Sequence, residues 1–361
     1  MNKIIGRNIR TLREANKFTQ SDVATFLGIE RSAYANYEAG LRDMPLIFLE
    51  KTAELLGCEL DMLFEEDIEK CKEVVKKLGF EPVLGESLFE NIGGYMAGTP
   101  EIRVKDLHRA FADDEIKGIF CVKGGFSASQ LLDKLDYELI RSNPKVFVGY
   151  SDVTNLNIVF NQKCNLGTFH GPMVKSNMFS DFNDFTKKSF LDVLNKKKGE
   201  RWKFKNPMDE KSGVEKEISL LYKKNFENKK INGKLTGGNL SIIVTTLGTD
   251  YEIDTKGKIF FIEEIEEEIS RIDRMMTHLK YAGKFEDCNA VLLGNFAGCE
   301  NTYGENYELM DFLKDFFKDY EKPVIYGLES GHEKPDLVTM PMGAKCTLKI
   351  NENINEIYFE K

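Results

Sequence analysis

Residues Val146 to Asp152 read Val-Phe-Val-Gly-Tyr-Ser-Asp: an apolar strand, a glycine turn, then a serine opening a helix. That spacing puts Ser151 on a sharp strand-to-helix elbow. Its hydroxyl projects from the sheet edge, and the Asp152 amide is turned toward a developing oxyanion. The G-x-S-x-G elbow of hydrolases works by this geometry, although this turn lacks the motif's second glycine. A serine hydroxyl attacks a carbonyl only when a base removes its proton, so the reading requires a histidine within reach.

The chain has four: His108, His170, His278 and His332. His108 and His278 sit in stretches of helical periodicity and read as partly exposed helix residues. His170, in Thr-Phe-His-Gly-Pro, ends a strand; it either lines the site or caps a loop. His332 sits in a glycine-flanked loop after the apolar strand Pro-Val-Ile-Tyr. Loops at strand ends are where catalytic side chains concentrate, so His332 is the best base. The third member should be a carboxylate at a strand end, and Lys-Ile-Phe-Phe-Ile-Glu-Glu supplies Glu263 directly after four apolar residues. Glu264 should then point away.

Around these residues, from Ile68, helices alternate with short apolar strands such as Gly118 to Val122 and Lys145 to Val148. Such alternation predicts a parallel sheet covered by helices. Residues 195–228 are lysine-rich and read as a connection, and strand and glycine signals dominate from Lys229 onward. A chain of 361 residues is long enough for two or three domains. Its formal net charge of −9 opposes general adhesion to nucleic acid or anionic membranes. Without a long apolar run or a signal-like start, the chain reads as cytoplasmic, with no membrane partner. The seven cysteines lack a C-x-x-C pair, so they read as small buried apolar residues, and neither a metal site nor a cofactor is expected.

Residues 1–66 form short helices separated by tight turns. Thr19 caps a second helix at Gln20, Glu30 to Glu38 gives a third ended by Gly40, and Pro45 to Leu56 a fourth. Phe18-Thr-Gln-Ser-Asp-Val-Ala and Arg31-Ser-Ala-Tyr-Ala-Asn-Tyr-Glu-Ala-Gly40 resemble the Cro and lambda-repressor type of helix-turn-helix. The resemblance implies that Arg31, Ser32, Ala33, Tyr34 and Asn36 belong to a recognition helix facing the major groove, and that Gln20 meets a phosphate. Up to Arg42 the stretch is locally basic, as phosphate binding requires. From Glu59 to Glu69 it turns strongly acidic, marking the end of the DNA module.

From about Ile68 the chain resembles the LD-carboxypeptidase family of serine peptidases, which includes murein LD-carboxypeptidases and the microcin C immunity peptidase. The ordered blocks are Lys123-Gly-Gly125, Asn143 to Asp152, His170-Gly-Pro172, Gly233 to Leu240, Phe261 to Glu264 with Arg271-Ile-Asp-Arg-Met275, and Ser330-Gly-His332. The resemblance implies a Ser-Glu-His triad at Ser151, Glu263 and His332, with oxyanion donors at the Asp152 amide and at Gly125. It implies a flavodoxin- or amidotransferase-like α/β domain over 67–194 and a smaller β-rich α+β domain over 229–361. The substrate class is a small peptide or peptidyl-nucleotide, and the peptidase domains imply a homodimer. The chain departs from the family at its head, where the first strand of the α/β domain is missing, and its single tryptophan, Trp202, lies in the connecting segment. Two functions follow: a serine carboxypeptidase-like hydrolase fused to a DNA-binding domain, or a transcriptional regulator whose peptidase-like part senses a peptide without turnover.

Overall fold

A computed structural model describes residues 2–58, 60, 63, 67–179, 182–222, 226, 229–304, 306–332, 335–350 and 355–360. The acidic junction read at Glu59 to Glu69 lies partly outside them. The chain divides into two compact units, Met1–Leu107 and His108–Lys361.

The first unit is helical. Helices Asn2–Ala15, Gln20–Leu27, Arg31–Glu38 and Leu46–Leu56 bury Ile9, Leu12, Val23, Leu27, Leu49 and Leu56 in one core. The breaks fall where local chemistry puts them. Thr19 and Asp22 form a reciprocal capping box, and Gly28 ends the second helix in the left-handed region at φ 69°. Gly6 lets the first helix lie against the third, since a Cβ there would stand 2.4 Å from the Glu38 carbonyl oxygen. Tyr34 corrects the sequence reading. Four residues before the buried Glu38, it occupies the inner face of its helix with 0% exposure and belongs to the core. It does not face outward, whereas Arg31 and Ser32 are exposed and Asn36 is half-buried.

The second unit contains two sheets. Its strands in chain order are β1 Gly118–Phe120, β2 Val146–Val148, β3 Thr168–His170, β4 Arg201–Lys203, β5 Ser219–Leu220 and β6 Lys229–Asn239. They continue with β7 Ile259–Ile265, β8 Ala290–Ala297, β9 Val324–Tyr326, β10 Met340–Met342, β11 Lys345–Ile350 and β12 Asn355–Glu360. The first sheet runs β1-β2-β3-β10: three parallel strands, with β10 antiparallel to β3. The edge beside β3 is thus filled from the C-terminal part of the chain. Among the described residues no strand precedes β1.

The second sheet runs β4-β12-β11-β6-β7-β8-β9-β5, with β6 to β9 parallel and antiparallel strands outside them. The sequence suggested a small β-rich region here. The structure instead gives it the larger sheet, with the segment read as connection contributing β4 and β5. Trp202 lies in β4 and packs on Phe359 at a ring distance of 5.8 Å, as a domain-surface anchor would.

Strand alternation sorts the two faces of β7. Phe260 and Ile262 pack with helix residues Ile243, Ile272 and Met276, while Ile259 and Phe261 pack with Met340 and Met342 of β10. Period two therefore places Glu263 on the β10 face and Glu264 on the helix face. That parity decides which acid turns toward β10.

Candidate active site

Ser151 follows β2 through Gly149 and Tyr150 and opens a short turn into helix Thr154–Cys164. Its φ of 63° lies in the left-handed region, which costs a residue with a side chain about 1–2 kcal/mol. Such strain at a strand-to-helix elbow exposes the side chain above the sheet. Gly149 has to be a glycine, because a Cβ there would stand 2.8 Å from Val153 and 3.0 Å from the Cys121 sulfur.

Opposite the elbow lies the turn at Gly124 and Gly125. A Cβ on Gly124 would stand 2.9 Å from Ser151 Oγ and 3.6 Å from the Asp152 nitrogen. The turn therefore abuts the hydroxyl and the amide together. Sequence reasoning valued Asp152 for its amide; the structure adds a use for its side chain. The buried carboxylate accepts hydrogen bonds from the Ser127 and Ala128 amides at 2.9 and 2.8 Å, tying the glycine turn to the elbow.

The acid and the imidazole meet at the end of the second sheet. Glu263 has 0% exposure, and its Oε2 lies 2.7 Å from Nδ1 of His332. The acid does not follow the strand, as the sequence suggested, but lies within β7. There the register to β8 shifts, with Ile262 opposite Leu293 but Glu264 opposite Phe296. The extra residue lies on β8, which bulges opposite Glu263 while β7 keeps its alternation. The loop carrying His332 seats on the same place: the Asn295 amide donates to the Ser330 carbonyl at 2.9 Å. A Cβ on Gly331 would stand 2.9 Å from Glu263 Oε2, so only glycine admits the carboxylate to the ring beside it. Burial pushes the Glu263 pKa above its ordinary value, and the His332 imidazole opposes that rise.

Two rings connect this pair to the elbow. Tyr150, the neighbour of Ser151, packs edge-on against His332 at 4.8 Å and in a tilted contact against His170 at 5.3 Å. Its hydroxyl accepts a hydrogen bond from Asn177 Nδ2 at 3.2 Å. His170 has 0% exposure and a T-shaped contact to Phe261 at 5.3 Å. Burial, with the nearby His332 as the lesser cause, pulls its pKa down to about 3. His170 is thus a buried neutral ring behind Tyr150. His108 and His278 belong elsewhere. His108 accepts the Asp136 amide at 2.9 Å, and His278 is exposed on helix Ile269–Tyr281.

Glu264 points away, as expected. Its two oxygens accept from Asn239 Nδ2, the Ser241 amide and the Ser241 hydroxyl at 2.6–2.8 Å. Asn239 also donates its amide to Thr154 Oγ1 at 3.1 Å, linking the elbow helix to the acid strand. The glycines before it serve close approach rather than phosphate binding, since a Cβ on Gly238 would stand 2.5 Å from Thr154 Oγ1. Tyr150, Asn177, Thr154 and Asn239 escaped the sequence reading, because only the fold shows what neutral side chains touch. Further along the acidic run, Glu267 pairs with Arg271 at 3.6 Å and Glu268 caps the following helix. A depression of about 320 Å³ at the opposite ends of β1 and β2, lined by Asp114, Lys117, Asn143 and Lys145, is remote from Ser151.

In the helical unit, Gln20 donates to Glu38 Oε1 at 3.1 Å, and Arg31 donates to Gln20 Oε1 at 3.4 Å. Arg13 holds the same buried Glu38 through two bonds of 2.8 and 2.9 Å. Burial alone would raise the Glu38 pKa, but these partners hold it below the ordinary carboxylate range.

Models of the LD-carboxypeptidase N-terminal and C-terminal domains match residues 57–171 and 232–348, and a helix-turn-helix model matches residues 9–63. A probable murein peptide carboxypeptidase of Bacillus subtilis is 36% identical over 280 residues, covering 77% of this chain and 82% of that protein. The chain belongs to the LD-carboxypeptidase family. The microcin C7 self-immunity protein MccF of Escherichia coli is 28% identical over 299 residues, covering 78% of this chain and 86% of that one. Among solved structures, muramoyltetrapeptide carboxypeptidase from Oxalobacter formigenes matches at TM-score 0.70 with 26% identity, covering 82% of this chain and 94% of that one. MccF in complex with aspartyl sulfamoyl adenosine matches at 0.71 with 25% identity, over 81% and 90%. This LD-carboxypeptidase homologue thus pairs a hydrolase fold with a helix-turn-helix match. Among the described residues no helix is long and apolar enough to cross a membrane.

Proposed function

We propose that the chain is a serine carboxypeptidase acting on L,D-peptides of murein or on peptidyl-nucleotides, fused to a DNA-binding domain. The observation that carries the reading is the 2.7 Å pair of buried Glu263 and His332, whose ring packs on Tyr150, the chain neighbour of a serine in a left-handed turn. In this reading the Ser151 hydroxyl attacks the amide carbonyl while His332 Nε2 takes its proton. Glu263 holds the ring by Nδ1, fixing the tautomer that leaves Nε2 basic. The tetrahedral oxyanion is received by the Asp152 amide and by Gly125 in the facing turn, a donor pair worth about 3 kcal/mol or more per donor. His332 returns the proton to the leaving amine, and the acyl-enzyme at Ser151 is then hydrolysed by water. The hydrophobic wall of Tyr150, His170 and Phe261 keeps water from competing with the Glu263–His332 bond.

The murein and nucleotide options come from the relatives' own descriptions, a murein peptide carboxypeptidase and an MccF complex with an aminoacyl sulfamoyl adenosine. A second reading, a regulator that binds such a peptide without turnover, is favoured by the lack of a strand before β1 among the described residues. Incubation with an L,D-tetrapeptide and with a peptidyl-adenylate analogue, followed by mass spectrometry, separates them. Release of the terminal residue or the nucleotide supports catalysis. Binding of either compound without any product, at enzyme-stoichiometric concentrations, supports sensing.

A further inference from the structure

The outer face of β4, β12, β11 and β6 carries a concentration of cations that the chain's net charge of −9 does not suggest. The strand registers set Arg201, Glu360, Lys345 and Lys234 in one row across the four strands. In another row Lys349 stands between Glu356 and Lys230. The row between them begins at Lys203, beside Tyr358. Alternation turns these residues outward, because the intervening Phe359, Ile357, Cys346 and Leu348 are buried in the core on the other face. Among the described residues six cations on this face therefore meet two carboxylates, both on β12. Glu356 is taken by Lys203 at 3.0 Å and Glu360 by Lys345 at 2.7 Å. Arg201, Lys230, Lys234 and Lys349 remain as excess positive charge.

We propose that this face is a second contact surface for the phosphate backbone of duplex DNA. The choice of ligand rests on reading the helix-turn-helix match at residues 9–63 as a DNA-binding module. Neighbouring strands about 4.8 Å apart, with outward residues about 6.8 Å apart along each, make a flat array about 15 Å across. Such an array suits a surface carrying one charge per about 1.7 Å of axis. A single strand would need bare aromatic rings for its bases to stack on. Here the Tyr358 ring is already occupied by Arg201 at 4.3 Å and Lys349 at 4.8 Å. A protein partner would need an apolar centre, and a bilayer an apolar side chain to insert; the face offers neither. The local positive field also offsets the repulsion that an acidic chain feels on approaching DNA.

The test uses the full chain and a short duplex of arbitrary sequence, followed by fluorescence anisotropy across a salt series. Lys230→Gln/Lys234→Gln/Lys349→Gln should bind at least about 10-fold more weakly at low salt. Its slope of log affinity on log salt should be smaller by about 2–3, near 0.9 for each phosphate no longer neutralised. Glu356→Gln/Glu360→Gln should bind more tightly than wild type, a gain that a folding defect does not imitate. An unchanged affinity and slope in the triple variant overturns the proposal, as does binding to phosphatidylglycerol vesicles with none to the duplex. A parallel Arg31→Ala/Asn36→Ala variant separates the two readings. If it matches wild type on every sequence while the triple variant loses affinity, the helix-turn-helix reading fails and the sheet surface stands.

Discussion

The Glu263 carboxylate and the His332 ring are held 2.7 Å apart by the smallness of Gly331, whose missing Cβ would stand 2.9 Å from the same carboxylate oxygen. Glu263→Gln keeps the shape but reverses the donor and acceptor roles at Nδ1, favouring the tautomer with a protonated Nε2. We expect kcat to fall by about 10³–10⁴ with little change in KM. Gly331→Ala should produce a comparable loss by displacing the carboxylate, with the fold retained by circular dichroism. Steady-state kinetics on a cleavable L,D-peptide checks both, and near-wild-type turnover in Glu263→Gln would remove the carboxylate from the mechanism.

Ser151 stores backbone strain at φ 63°. Ser151→Ala removes the hydroxyl and retains the strain, whereas Ser151→Gly removes both. Both variants should lose labelling by a serine-directed acylating probe. Glycine relieves a penalty of about 1–2 kcal/mol but adds freedom to the unfolded chain, so the net gain over alanine should be about 1 kcal/mol or less. Denaturation midpoints in the order Gly above Ala fit an elbow strained for function, and the reverse order contradicts it.

How far the site was legible in the sequence follows from what each residue depends on. Ser151, Glu263 and His332 stood out because strand ends and glycine turns can be read from composition, and period two along β7 separated Glu263 from Glu264. The bulge of β8 opposite Glu263 was not readable, because it depends on how the two strands pair. Neither was the origin of β10, a three-residue strand that crosses from the C-terminal region to pair with β3. Tyr34 takes a DNA-facing place by motif position but an inward one by helical phase: four residues separate it from Glu38, and both face inward.

His170 provides a pH signature. Its pKa falls to about 3 in the folded chain, from an ordinary value near 6.5, because burial disfavours the imidazolium. Between those values the unfolded chain binds the proton and the folded chain does not. The stability attached to neutral His170 is therefore present above about 6.5 and is lost as pH falls toward 3, with a limiting slope of about 1.4 kcal/mol per pH unit. His170→Leu removes this dependence and keeps a similar volume. Urea unfolding at pH 7, 6 and 5 should show wild type losing stability faster than the variant. Parallel curves would mean that His170 takes up its proton without unfolding.

The helical unit predicts two separable kinds of damage. Arg31 is exposed at the start of the third helix and reaches Gln20, which in turn holds Glu38. Arg31→Ala should weaken DNA binding nearly uniformly across sequences and flatten its salt dependence, as removal of a phosphate-binding cation does. Asn36, half-buried on the same helix, should change sequence preference if its amide reaches a base edge. Tyr34→Ala should behave differently again. With 0% exposure in the core, its truncation costs about 3–5 kcal/mol, so it should unfold the unit and abolish binding to every sequence together. Paired modules must sit about 34 Å apart on one face of the duplex, so a dimer should protect two half-sites one helical turn apart. Footprinting of genomic fragments at low salt, with sedimentation to fix the oligomeric state, measures all of this. A Tyr34→Ala protein that melts normally yet prefers a different sequence would return that side chain to the DNA-facing surface.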